Sequence, residues 1–277
     1  MRKKVKINFP TKLIIGLLFP IIISGLCSVS FAQQFTIEDF HAEIIINEDA
    51  TIDVTEIITV QFERPKHGIY REIPCRYEDE LGDELVMPIS VNSVKDENGR
   101  ARPSLIEYKY NFVNIRIGDA DRYVDGRQIY VINYQVDNTT LFFEDHDELY
   151  WNVTGDLWRA PIIQTSATVT LNTDKPNSKL TGACYTGRHG STASACNFET
   201  SDKMAHFATE IPLNFDEGFT IALGWDKGIV APPSDYQQLL WKSNLAENWV
   251  FIIPIVISIF LCLRWIFSGR EIGRAHV

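Results

Sequence analysis

Positive charge is scarce through the middle of this 277-residue chain: residues 33–248 hold 18 Lys+Arg against 35 Asp+Glu, a net of −17. That deficit excludes a nucleic-acid binder working by phosphate neutralisation, and it excludes a polybasic membrane-surface protein. Motifs for chemistry are missing from the same stretch. It holds no Gly-x-Ser-x-Gly, no His-Glu-x-x-His, no phosphate-cradling glycine loop and no paired zinc-ligand spacing. Internal repeats, low-complexity tracts and long amphipathic helical patterns are absent as well. What is present is apolar: 45% of the chain is hydrophobic and 22% charged, enough for one large domain or two small ones.

Two apolar blocks bracket the acidic stretch. At the amino end, Arg2, Lys3, Lys4 and Lys6 precede an apolar run from Leu13 to Ile23, and Ser30-Phe31-Ala32 offers small residues at the −3 and −1 positions of a cleavage site. This reads as a signal peptide over 1–32. A lipoprotein signal is excluded, because Leu26 precedes Cys27. The second block, Trp249 to Phe267, carries no charge before Arg264. At about 1.5 Å per residue it approaches the ~30 Å hydrocarbon core of a bilayer. Trp249 and Trp265 sit where interfacial aromatics belong, and Arg264 with Arg270 follow as positive-inside residues. The expectation is a plasma-membrane protein, single-pass in this chain, with the lipid bilayer as one partner and residues 33–248 outside the cytoplasm.

Between the blocks the pattern alternates. Phe35 to Asn47 and Thr51 to Phe62 form an opening hairpin, with Ile44, Ile46, Ile52, Val54, Ile58 and Val60 marking apolar faces. Leu85 to Val94, Ser104 to Phe112, Gln128 to Val136, Ser166 to Leu171 and Phe219 to Trp225 have the same β-branched and aromatic character. Asn98-Gly99, Asp125-Gly126 and Asp216-Glu217-Gly218 punctuate them. The predicted fold is mainly β: an antiparallel β-sandwich over 33–233, a polar and partly helical stalk over 234–248, then one transmembrane helix over 249–267. Cys184 and Cys196 flank the loop Tyr185 to Ala195 and read as a disulfide-closed hairpin, leaving Cys75 over.

Several segments resemble one family, the DUF2207 predicted membrane proteins of bacteria and archaea. Ile46 to Glu56 fits its I-x-x-D-G/A-x-I-x-V-x-E hairpin, and His67-Gly68-Ile69-Tyr70-Arg71-Glu72-Ile73-Pro74 is the most specific match. Arg116-Ile117-Gly118-Asp119 with Gly126, Tyr130 and Tyr134 follows; then Asp147 to Gly155 with Trp158 and Pro161; then Cys184-Tyr185-Thr186-Gly187. The resemblance implies a signal peptide, an extracytoplasmic β domain and a membrane helix followed by further segments. It carries no activity and no catalytic residues to transfer. The chain departs from the pattern after Gly269-Arg270. Its last seven residues, Glu271 to Val277, match one frame of a common sequencing adapter, so 268–277 is expected to be a truncated tail with 271–277 artefactual.

Candidate chemistry centres on His67, Gly68, Tyr70, Arg71 and Glu72. Read functionally, His67 is a general base oriented by Glu72, with Arg71 binding an anion. Read structurally, Gly68 permits a tight turn, Ile69 and Ile73 face the core, and Arg71 pairs with an acidic neighbour. Strand geometry puts Tyr70 and Glu72 on one face and Arg71 on the other. Asp119, Asp121 and Asp125 read as a turn rather than a calcium loop, since Val124 stands where such a loop needs glycine. Glu144 to Glu148 reads as a solvated turn before the strand Leu149 to Val153. Trp151 and Trp158 read as core or as a carbohydrate-stacking platform. The expectation is a non-enzymatic envelope protein that binds an unknown envelope protein or glycan, with no catalytic residue, metal site, cofactor or nucleic-acid partner. The competing expectation is an envelope hydrolase or ligand sensor using His67, Arg71 and Glu72.

Overall fold

The computed structural model describes residues 35–78, 84–177, 179–243 and 249–272. The signal segment, residues 244–248 of the stalk and residues 273–277 of the tail lie outside the described residues. In chain order the described elements are β1 (Phe35–Ile46), β2 (Ile52–Lys66), β3 (Gly68–Pro74), β4 (Arg76–Glu78), β5 (Glu84–Val86), β6 (Ile89–Lys95), β7 (Ser104–Tyr108), β8 (Phe112–Gly118) and β9 (Val124–Val136). There follow β10 (Thr140–Phe142), β11 (His146–Asn152), β12 (Ile162–Leu171), β13 (Thr181–Gly187), β14 (Cys196–Ser201), β15 (Met204–Thr209), β16 (Gly218–Asp226), α1 (Asp235–Ser243) and α2 (Trp249–Ile272).

The strands build a seven-stranded sheet in the order β14-β15-β12-β1-β2-β9-β6, a four-stranded sheet β10-β11-β16-β13, a three-stranded sheet β3-β8-β7 and the pair β4-β5. Period-two burial explains the arrangement. Ile44, Ile46, Ile52, Val54, Ile58 and Val60 are all buried, and they join one core with Ile69, Ile73, Trp151, Phe207 and Trp225 from the other strands. The fold is thus mainly β, and the three larger sheets turn apolar faces into the same cluster.

The structure corrects the sequence reading in several places. β12 runs parallel to β1, pairing Ile37 with Ile162 through Ile46 with Leu171, so the large sheet is mixed rather than antiparallel. The cause is topological. Between β1 and β12 the chain builds ten other described strands, the last two, β10 and β11, in the four-stranded sheet, and this long connection over residues 47–161 lets it re-enter beside β1 in the same direction. The run Leu85 to Val94 splits into β5 and β6 around Pro88, which has no N–H to donate. The segment around Asp125-Gly126 is no hairpin turn, because β8 and β9 belong to different sheets. Cys184 and Cys196 are bonded as expected, and the loop between them folds back through a single antiparallel bridge, Thr186 with Ala193; the strands they sit on belong to different sheets, β13 to the four-stranded and β14 to the seven-stranded one. On the chain-entropy account a loop this short contributes about 3 kcal/mol.

One close approach ties two motif segments together. Gly68 and Gly118 face each other across β3 and β8. Their φ values are +136° and +142°, and a Cβ on either would lie 1.8 Å from a carbonyl oxygen, of Ile117 or of His67. No other residue type fits either position.

The helix α1 falls in the expected stalk. The helix α2 covers the second apolar block and continues through Glu271-Ile272, where no helical pattern is expected. Its described side chains from Ile252 to Phe267 are all exposed. Among the described residues no helix is long and apolar enough to cross a membrane; the side chains of Trp249, Phe251 and 268–272 are not among them.

Candidate functional site

Three strands place a polar side chain on a face that is otherwise apolar. Glu56 alternates with Val54 and Ile58 on β2, Arg71 with Ile69 and Ile73 on β3, and Tyr134 with Ile132 and Val136 on β9. All three meet in the core, with Arg71 1% and Glu56 0% exposed. Arg71 Nε donates to Glu56 Oε2 at 2.8 Å and Nη2 to Oε1 at 2.6 Å, a bidentate pair. Nη2 also donates to the Val153 carbonyl at 3.0 Å. Nη1 donates to the carbonyls of Thr154 at 2.7 Å and Glu72 at 2.9 Å. The Tyr134 hydroxyl donates to Glu56 Oε1 at 2.6 Å. The rings of Phe40 and Trp158 flank the guanidinium at 5.4 and 5.9 Å.

A guanidinium has five N–H donors, and the five bonds just described use them all. Arg71 therefore has nothing left with which to bind an anion. It links β2 of the seven-stranded sheet, β3 of the three-stranded sheet and the chain leaving β11 of the four-stranded sheet. Burial pulls its pKa down, but the adjacent Glu56 carboxylate outweighs that and holds it above the ordinary arginine value. Burial, and then the same carboxylate, push the Tyr134 hydroxyl well above the usual tyrosine value.

The structure does not bring His67 and Glu72 together. His67 sits at the bend before β3, where Gly68 holds φ at +136°, and Glu72 lies within the strand. His67 is exposed, with Nδ1 at 3.1 and 3.2 Å from the Asp119 and Arg122 carbonyls. Its ring packs on Tyr123 at 4.1 Å, so it holds the β8–β9 connection. Glu72 contributes its backbone carbonyl to Arg71, and Tyr70 is exposed. A cleft of about 400 Å³ beside this segment is lined by Gly68 to Glu72, Thr154, Trp158, Arg159 and Asp216, and His67 is not among its lining residues.

Trp151 and Trp158 take the core reading rather than the stacking one, at 1% and 6% exposed, and Trp158 Nε1 donates to the Thr154 carbonyl at 2.8 Å. One further expectation is corrected. The stretch Glu144 to Glu148 is not wholly solvated. Asp147 lies within β11, 1% exposed, bonded by Lys227 Nζ at 2.9 Å and by the Gly228 N–H at 3.3 Å. The Asp119 carboxylate accepts from the Asp121 N–H at 2.9 Å, as a turn residue does. Among the described residues no group of three or more His, Cys, Asp or Glu side chains is placed to hold a metal ion.

The sequence reading missed a second cleft, on the outer face of the four-stranded sheet. Along β11, Leu149 and Trp151 point inward, while Tyr150 and Asn152 alternate to the outside. Tyr150 pairs with Ala222 of β16, and Tyr185 of β13 pairs with Thr220. With Tyr77, Asp156 and the loop Thr186 to Thr192, these residues line a cleft of about 430 Å³. A neighbouring cleft of about 390 Å³ shares Tyr77, Asn152, Asp156 and His189, and adds Tyr110 and Arg76. The signal for it in the sequence is the outward phase of Tyr150, one residue from Trp151.

Comparison with known proteins gives a family match over most of the chain. A family described as "Predicted membrane protein (DUF2207) N-terminal domain" matches residues 36–225. The Escherichia coli (strain K12) "Uncharacterized protein YciQ" is 29% identical over 264 residues, covering 91% of this chain and 41% of its own length. The chain thus spans well under half of that relative. Among solved structures, native yeast LTA4 hydrolase superposes with a TM-score of 0.45 at 10% identity, over 71% of this chain and 30% of its own. An M1 zinc metallopeptidase from Deinococcus radiodurans gives 0.38 at 9% identity, over 68% and 42%.

Proposed function

Because the chain belongs to the DUF2207 family of predicted membrane proteins, we propose that it is a single-pass cell-envelope protein whose acidic β domain, layered as a sandwich, acts outside the cytoplasm as a binding module. One observation carries the anchor: the α2 side chains from Ile252 to Leu263 are exposed without a single charge among them. Apolar area of that extent is costly in water and stable in hydrocarbon. Arg264 then follows on the side expected for the cytoplasm. For binding rather than catalysis, the support is that the most motif-like arginine is consumed within the fold. Polar groups that line an open cleft lie elsewhere, around Tyr150 and Tyr185. Nothing favours the hydrolase reading, since His67 and Glu72 are apart.

The test is fractionation with protease accessibility. The full chain is expected in the carbonate-washed membrane pellet, and a chain ending at residue 248 in the soluble extracytoplasmic fraction. Protease added to intact spheroplasts is expected to digest residues 33–248. Protection of that region, or release of the full chain by carbonate, refutes the reading.

A further inference from the structure

We propose that the tyrosine-lined trough on the outer face of the four-stranded sheet binds an uncharged oligosaccharide of at least two pyranose rings, an assignment that rests on the binding-module role above. Residues directly paired across antiparallel strands share a face, so Tyr150 and Tyr185 rise on either side of β16. They lie two strand spacings apart across the sheet, about 9.6 Å, and two residues apart along it, about 6.8 Å, so about 12 Å on the diagonal. β16 contributes Gly218 and Thr220 as a low floor. A trough of that width takes one ligand ring against an aromatic face.

The lining fits a sugar. A pyranose presents C–H groups on its face and hydroxyls around its rim; tyrosine rings accept the former on their electron-rich faces. Asn152, Asp156 and Arg188 supply planar donors and acceptors for the latter. Tyr150, half exposed, has its hydroxyl pKa raised, by burial first and then by Tyr185 and Glu148, so it remains a neutral donor. The adjoining cleft makes a second position around the shared Tyr77, Asn152 and Asp156. Its far wall is ordered in advance: Arg76 stacks on Tyr110 at 4.3 Å, and the Tyr110 hydroxyl donates to Glu84 at 2.7 Å. Two adjoining clefts of about 430 and 390 Å³ that share Tyr77, Asn152 and Asp156 accept two consecutive rings. The Asp156 carboxylate and the acidic domain disfavour a polyanionic glycan.

The experiment uses the full chain in lauryldimethylamine oxide micelles, because maltoside detergents would compete. The probes are cellotetraose, N-acetylglucosamine tetramer and, as the charged control, tetragalacturonate. Saturation-transfer NMR is expected to show contact with at least one neutral tetramer, and titration to saturate. Tyr150→Ala is expected to weaken that affinity tenfold or more, while Tyr236→Ala, an exposed tyrosine on α1 away from both clefts, stays within threefold. Should Tyr150→Ala lower the melting temperature, Asn152→Ala on the same wall takes its place with the same expected loss. No transfer from either neutral tetramer overturns the proposal. So does unchanged affinity in a folded wall variant, or tighter binding of tetragalacturonate. Membrane fractionation of the same samples separates the two readings. A membrane-bound protein blind to sugar refutes only the saccharide site, and a carbonate-soluble protein that binds sugar refutes only the anchor.

Discussion

Replacing Arg71 with Met tests the account of the core directly. Methionine retains most of the apolar stem but removes the guanidinium, leaving Glu56 buried with only the Tyr134 hydroxyl as donor. Breaking a buried pair by deleting one partner costs about 3–5 kcal/mol, because the remaining charge has no compensation. Three backbone carbonyls lose a donor as well. The expected loss is therefore about 4 kcal/mol, a large part of the ~5–15 kcal/mol available to a domain. Urea titration followed by tryptophan fluorescence reads it, since Trp158 packs beside the guanidinium. The double variant Arg71→Met with Glu56→Leu removes the orphaned charge. It is expected to be more stable than the sum of the single losses by at least about 2 kcal/mol, a coupling energy within the range for residues in direct contact. A cost below about 1 kcal/mol for Arg71→Met, or strict additivity in the cycle, would refute a buried lock joining three sheets.

Two further outcomes follow from the geometry. Gly68→Ala is expected to cost about 3 kcal/mol or more, since the new Cβ meets the Ile117 carbonyl oxygen at 1.8 Å and the backbone holds φ at +136°; a melting temperature within 2–3 °C of the parent, at about 1 kcal/mol per few degrees, contradicts the close approach. The pH profile should also bend in a set direction. Desolvation raises the pKa values of Asp39, Asp137 and Glu148 in the folded state. The folded protein therefore binds more protons than the unfolded chain just above the ordinary values, and stability falls as pH rises through the shifted ones. Thermal melts at pH 5 and pH 8 are expected to show the higher midpoint at pH 5, and equal midpoints argue against burial of these groups.

Sequence pattern revealed the strands wherever one face met the core. Ile44 through Val60 lie in phase, and the phase is all that period two requires. Partner and direction were invisible, because a strand's alternation is the same whether its neighbour runs with it or against it; hence the parallel β1–β12 pair. Pairing across 15 residues in sequence, as between Glu56 and Arg71, is likewise not local. Still, a trace of it was there. Glu56 occupies the buried phase of β2 between Val54 and Ile58, where a carboxylate is tolerated only with a partner, and Arg71 holds the same phase on β3. Two opposite charges in two apolar phases are a statement about each other. The histidine nearby drew a chemical reading because it was close in sequence, whereas strand geometry had already separated it from Glu72.

The same geometry connects the lock to the outer trough. β11 carries Trp151 inward and Asn152 outward, and the chain then offers the carbonyls of Val153 and Thr154 to Arg71. Gly155 follows at φ +70°, where a Cβ would come within 3.0 Å of Arg71 Nη1. Asp156, the next residue, lines both tyrosine clefts. Four consecutive residues thus run from the buried guanidinium to the partition between the two ligand positions. The backbone leading to Asp156 is held by the Arg71 bonds and by the Gly155 N–H donating to Asn152 Oδ1, which is how a rigid element holds a binding group in place. An arginine that touches no ligand can in this way fix where a ligand binds. Its motif character then reflects the geometry it imposes on Val153 to Asp156 rather than any reaction of its own.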